Sequence, residues 1–138
     1  MTGNPIAEEF IEAERAKVTD QDVEKVVEKA EQIRKSFRHG GPLGRFVDDG
    51  HLLVSMVRDY WSRSYRQVPY ATIGATVVAL LYVLNPFDLV PDFLPLIGQV
   101  DDAAVIAACL FLVEQDLYRY RRWKEGQDGS QKPRKGDR

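Results

Sequence analysis

Cysteine is almost absent from this chain of 138 residues: Cys109 stands alone in an apolar run. A single thiol excludes an intramolecular disulfide and any cysteine-rich zinc site, and in such a run it reads as a small hydrophobe. Histidine is nearly as scarce, with His39 in a glycine-rich turn and His51 beside Asp48 and Asp49. Neither meets a nucleophile at catalytic spacing, and His51 is expected to face solvent. "HGGPLG" at 39–44 lacks the Lys-Ser/Thr that completes a phosphate loop. No basic leader or apolar signal core opens "MTGNPIAEEFIEAERAK", so a cytoplasmic or cytoplasm-facing chain is expected. Alternating apolar and polar residues are missing, and so are internal repeats, which argues against strands and solenoids. Formal net charge is only −2, which gives no reason to expect a nucleic-acid partner. These absences describe a chain that is not an enzyme and needs no cofactor.

The most informative absence is local. From Gln67 to Tyr118, 52 residues, there is neither lysine nor arginine, although the chain holds 19 of them. The same stretch carries Asp88, Asp92, Asp101, Asp102, Glu114 and Asp116. Segregation of this kind asks for a physical cause.

What is present reads as all-α, with four main helices. Residues 1–18 form a weakly amphipathic lead-in with Ile6, Phe10 and Ile11 as its contacts. Thr19 caps a helix over about 20–37, with Asp22 in the capping-box position. Val23, Val26, Val27, Ala30, Ile33 and Phe37 then share one face. "RHGGP" ends it. A second helix covers about 43–65, with Leu43, Phe46, Val47, Val54, Val57 and Trp61 as its stripe. Pro69 suits the first turn of a third, 69–84, which is apolar on nearly every side. A fourth, about 100–124, is apolar through Val113 and then polar in "EQDLYRYRRWKE". Three regions follow: amphipathic helices over 1–66, an antiparallel hairpin over 67–125, and a polar, glycine-rich, disordered tail over 126–138.

The connector between the apolar helices is "NPFDLVPDFLPLIGQVDD", residues 85–102. Asn85 and Pro86 form a helix-start pair, and Pro91 and Pro95 keep any helical turn short. Asp101 and Asp102 fall in the first turn of the fourth helix, where the dipole favours an anion by roughly 0.3–1 kcal/mol. Capping of backbone ends is therefore the simplest role for the four aspartates. The alternative is that Asp88, Asp92, Asp101 and Asp102 converge on a hard cation such as Mg²⁺ or Ca²⁺, which takes oxygen ligands. Their spacing fits no EF-hand loop. A third use is the docking of a partner.

"LLYVLNPFDLVPDFLPLIGQVDDAAVI" resembles the signature of the YkvA-like family, a domain of unknown function. The family pattern is P-x-D-L-x-P-D-x-x-P-x-x-G-x-x-D-D. Pro86, Asp88, Leu89, Pro91, Asp92, Pro95, Gly98, Asp101 and Asp102 fill it in order. The likeness covers about 68–115. It implies a helical hairpin often described as membrane-associated, and it carries no reaction.

Two placements remain open. Arg58, Arg63 and Arg66 precede the acidic middle, and Arg119, Arg121, Arg122 and Lys124 follow it. Under the positive-inside rule this suits a transmembrane hairpin with cytoplasmic termini. Tyr70, Tyr82, Tyr118 and Trp123 would then stand at the interfaces. Ala71, Ala75, Ala79, Ala103 and Ala107 would allow close helix approach. Length argues otherwise: 68–84 spans about 25 Å and 103–113 about 17 Å, against roughly 30 Å of hydrocarbon. In a soluble bundle the stripes of the first two helices would cover the hairpin instead. The leading expectation is a non-catalytic, membrane-associated scaffold or interaction protein, with lipid, a protein partner or a second copy as what it meets. The alternative is a cytoplasmic helical-bundle binding module.

Overall fold

A computed structural model of the chain describes residues 5–38, 41–84 and 101–129. Every regular element among them is helical: α1 (Pro5–Arg15), α2 (Asp20–Glu28), α3 (Ala30–Arg38), a 3-10 helix (Gly41–Phe46), α4 (Val47–Trp61), α5 (Tyr70–Leu84), α6 (Asp102–Leu112) and α7 (Glu114–Gly129). The all-α class is as expected. The count is not, for three reasons. The lead-in is a full helix; the helix over 20–37 divides at Lys29; and the one over 100–124 divides at Val113. In both divisions the dividing residue leaves helical geometry, with φ −100° and ψ 17° at Lys29 and φ −108° and ψ 13° at Val113. The hydrogen-bond ladder nevertheless resumes at once, through Ile33 N–H to Lys29 O (3.0 Å) and Leu117 N–H to Val113 O (2.8 Å). The end of α7 lies within the segment expected to be a tail, and 130–138 fall outside the described residues.

α2 begins as its sequence dictates. The Thr19 hydroxyl accepts from Asp22 N–H at 3.3 Å, and the Asp22 carboxylate accepts from Thr19 N–H at 2.9 Å. Such a reciprocal cap stabilises a helix start by about 1 kcal/mol. α4 ends by a different device. Ser62 N–H bonds Arg58 O, Arg63 N–H bonds Tyr60 O, and Arg63 takes the left-handed conformation at φ 71°. That is the geometry of a helix C-terminal turn, occupied here by a residue with a Cβ.

α5 is the centre of the molecule. Every residue from Thr72 to Val83 is buried. α1, α2, α3, α4 and α6 all pack against it. Its β-branched residues are poor helix formers, so burial overrides propensity here. Each fully buried Val, Leu or Ile contributes roughly 1.5–3 kcal/mol. Its two buried threonine hydroxyls are satisfied: Thr76 donates to Thr72 O at 2.9 Å, and Thr72 donates to Asp116 at 2.5 Å.

α5 and α6 run antiparallel. Thr72 meets Asp116, the Cys109 thiol points at Ala75 O (3.8 Å), and the Tyr82 ring feels the charge of Asp102. As one residue number rises its partner's falls. α5 also comes close to α1. A Cβ on Gly74 would sit 2.7 Å from Arg15 O. Of the alanine series, Ala75, Ala79 and Ala103 are in the interior, Ala107 is half-buried and Ala71 is exposed.

The α4 stripe also differs from expectation. Leu53 and Met56 join Val54 and Val57 in the core, whereas Trp61 is 38% exposed. α7 folds back onto α4 through polar contacts. Tyr120 donates to Asp59 at 2.5 Å, Lys124 pairs with Asp59 at 3.1 Å, and Arg121 lies 3.7 Å from Asp49. Beside them Tyr65, Tyr120 and Trp123 form a ring cluster with centroids 4.9–5.8 Å apart.

Candidate functional site

At the turn of the hairpin, Asp101 and Asp102 are described; Asn85, Pro86, Asp88, Pro91, Asp92, Pro95 and Gly98 lie outside the described residues. The two neighbours do different work. Asp101 is the N-cap of α6: its Oδ1 accepts from Ala104 N–H at 2.8 Å. Asp102 turns partly inward, and burial pushes its carboxyl above the ordinary range, with the Asp101 charge adding to the shift. Burial also raises the nearby Tyr82 hydroxyl, with the charges of Asp102 and Asp101 acting the same way. Among the described residues, no three His, Cys, Asp or Glu side chains are grouped to hold a metal ion.

Burial is the first cause of the shifts at the lone thiol and at His51. Cys109 is fully buried, and burial pushes its thiol up to about 12. His51 is half-buried, not solvent-facing as its sequence neighbours suggested. Burial lowers its pKa, the Arg34 and Arg38 charges act the same way, and among the described residues its Nε2 has no hydrogen-bond partner. His39 is outside the described residues.

The interfacial aromatics separate into two sets. Tyr82 is buried at 4% exposure and Trp123 is half-buried in the ring cluster. Tyr70 remains at the surface, its hydroxyl 3.4 Å from Asp20. Tyr118, at 55%, is joined by Phe111, at 48%, which the sequence reading passed over. The two stand seven residues apart on consecutive helices, and two helical turns return side chains to nearly the same side. Their half-exposed neighbours are Leu110 and Leu112.

Cations border this apolar face. Arg119 pairs with Asp116 at 2.7 Å, and Arg122 donates to the Tyr118 hydroxyl at 3.0 Å. Arg121 and Lys124 turn toward α4 instead. Tyr118 also walls two shallow grooves. One, of about 280 Å³, is closed by Asp49, Leu110 and Arg121; the other, of about 360 Å³, by Glu114, Gln115 and Arg119. The exposed Glu114 and Gln115 stand between Phe111 and Tyr118, and exposed aromatic rings among arginines have the chemistry of an interfacial surface. The signal for Phe111 was available in the sequence. It precedes the change from apolar to polar at Val113, so it lies where the buried helix hands over to the exposed one.

No helix among the described residues is long and apolar enough to cross a membrane. The transmembrane helix expected for the hairpin is corrected on that point. α5 has 15 residues, about 22 Å at the α-helical rise, and protein already surrounds it.

Residues 72–108 match the family described as "Protein of unknown function (DUF1232)". The chain is 32% identical over 69 residues to "Uncharacterized membrane protein YkvA" of Bacillus subtilis (strain 168). That match takes in 50% of this chain and 65% of the relative, so less than two thirds of the relative's length is spanned. No solved structure matches the chain.

Proposed function

This chain is YkvA-like across its central helices, and from that premise we propose a non-catalytic interaction protein that associates with a membrane surface. Phe111 and Tyr118, exposed together beside Arg119 and Arg122, are the observation that carries the reading. Aromatic rings suit the boundary between headgroups and acyl chains, and arginines suit anionic headgroups. The relative's name, a membrane protein, points the same way. Association is peripheral: α5 is enclosed by five neighbouring helices, so its apolar surface is not offered to lipid while the bundle is closed. The arginine-bearing face meets the anionic cytoplasmic leaflet.

A second reading keeps the same bundle away from lipid, with the Phe111–Tyr118 face docking a protein partner or a second copy. The enclosure of α5 favours it, because the fold completes its core without a bilayer.

Sedimentation with vesicles of phosphatidylglycerol and phosphatidylcholine separates the two. Membrane association predicts binding that weakens in high salt, is released by carbonate, and is lost in the Phe111→Ser, Tyr118→Ser double variant. Protein left in the supernatant with anionic vesicles, or a double variant that binds as well as the parent chain, selects the second reading.

A further inference from the structure

A different cleft lies on the opposite flank of α7, between that helix, α2 and α4. It measures about 330 Å³ and is lined by Val27, Ser55, Arg58, Asp59, Trp61, Ser62 and Lys124. Arg58 and Asp59 lie three and four residues after Ser55, and Ser62 lies four and three after them, which sets the four along a single face of α4 and its C-cap.

The charge of this cleft is not balanced. Asp59 is its one carboxylate, and both its neighbours use the same oxygen: Tyr120 and Lys124 both donate to Oδ2. Arg58 is exposed into the cleft, and among the described residues it forms no ion pair. Arg34 stands behind the wall, donating to the Ser55 hydroxyl at 3.4 Å. The Arg58 charge repels it and the Glu31 charge attracts it. Arg58 and Lys124 thus share one carboxylate in the cleft, and Lys124 alone is paired with it. A guanidinium fork fits phosphate oxygens two at a time. The Ser55 hydroxyl adds a polar group to the lining, while the Ser62 hydroxyl already donates to Asp59 O at 3.3 Å, and Trp61 supplies an apolar wall for a small organic body. The volume is at the small end for a ligand pocket.

We propose that the α2–α4–α7 cleft binds a phosphate monoester, with Arg58 and Lys124 holding the phosphate and Trp61 covering the group it is attached to. This goes beyond the membrane reading and uses none of its residues. The phosphate can belong to a small soluble molecule or to a lipid headgroup, and the chemistry of recognition is shared.

The chain has two tryptophans, so two indole N–H signals in a nitrogen-edited NMR spectrum report on the site, with Trp61→Phe assigning them. Glycerol 3-phosphate is titrated first, and vesicles of phosphatidic acid in phosphatidylcholine second. A saturable shift of the Trp61 indole is expected, weakened about tenfold or more in Arg58→Gln. Arg58 is exposed, so the variant retains the fold, as an unchanged remainder of the spectrum will show. A response to glycerol 3-phosphate assigns a soluble ligand; a response to phosphatidic acid alone assigns a headgroup. No Trp61 response to either probe overturns the proposal, and so does a response that Arg58→Gln leaves unaltered.

Discussion

The Tyr120 hydroxyl and the Asp59 carboxylate meet at 2.5 Å across 61 residues of chain. The contact closes α7 onto α4, and it pushes the Tyr120 hydroxyl far above its ordinary range through burial first and the Asp59 hydrogen bond second. Tyr120 therefore stays protonated and remains a donor at neutral pH.

Tyr120→Phe removes that donor and leaves the ring in place against Tyr65 and Trp123. The Asp59 carboxylate keeps Lys124 but loses its second partner. A loss of about 1–3 kcal/mol is expected from urea unfolding, the range for a buried hydrogen bond to a charged group. A midpoint equal to that of the parent chain would show that the bond contributes nothing net.

Gly74→Ala places a methyl 2.7 Å from the carbonyl oxygen of Arg15. Backbone cannot swing aside as a side chain does, so α1 must shift from α5. About 1–3 kcal/mol of destabilisation is expected, typical of overpacking. Gly126→Ala is the control. Nothing lies within 4 Å of the added carbon there, so the same substitution on α7 should stabilise by up to about 1 kcal/mol. Thermal melts of the pair should move in opposite directions.

The adjacent acids at the start of α6 should also diverge. Asp101→Ala deletes an N-cap bond of 2.8 Å and should cost about 1 kcal/mol. Asp102→Asn removes a carboxyl whose folded pKa is raised by burial. A raised value means the folded chain holds that proton more tightly than the unfolded chain. The stability so linked is present in full below the ordinary value of 3.8 and is lost as pH rises through the folded value. Asp102→Asn should therefore gain on the parent chain as pH climbs from about 4 toward neutrality, and should show no advantage below. Unfolding measured across that window gives the answer. An advantage that grows toward acid pH would contradict the assignment.

Much of this architecture could be read from the residues, because several signals were local. Thr19 and Asp22 lie three residues apart, and their reciprocal cap needs no other part of the chain. The apolar character of α5 and α6 and the length between them make a hairpin almost unavoidable. Asp101 was legible as a cap for the same reason as Thr19. The divisions at Lys29 and Val113 were not, since neither has a glycine or proline and the ladder on each side is nearly unbroken. Gly74 gave no warning either: its role depends on Arg15, which lies far away in sequence. The basic run after Tyr118 was ambiguous in the same way. Arg121 and Lys124 face α4 while Arg119 and Arg122 do not, and only the packing of α7 tells them apart. Asp59 was overlooked because its partners, Tyr120 and Lys124, come from α7, although the polar series from Ser55 to Ser62 marked that face.

The burial of α5 has a consequence for how the chain comes to exist. Synthesis delivers α1 to α4 first, and most of the surface that will sheathe α5 is therefore made before α5 itself. When α5 leaves the ribosome, its greasiest stretch meets helices already waiting for it, with α6 and α7 still to come. A circular permutant that began at α5 would reverse this order and expose that stretch to the cell before any shelter had been built.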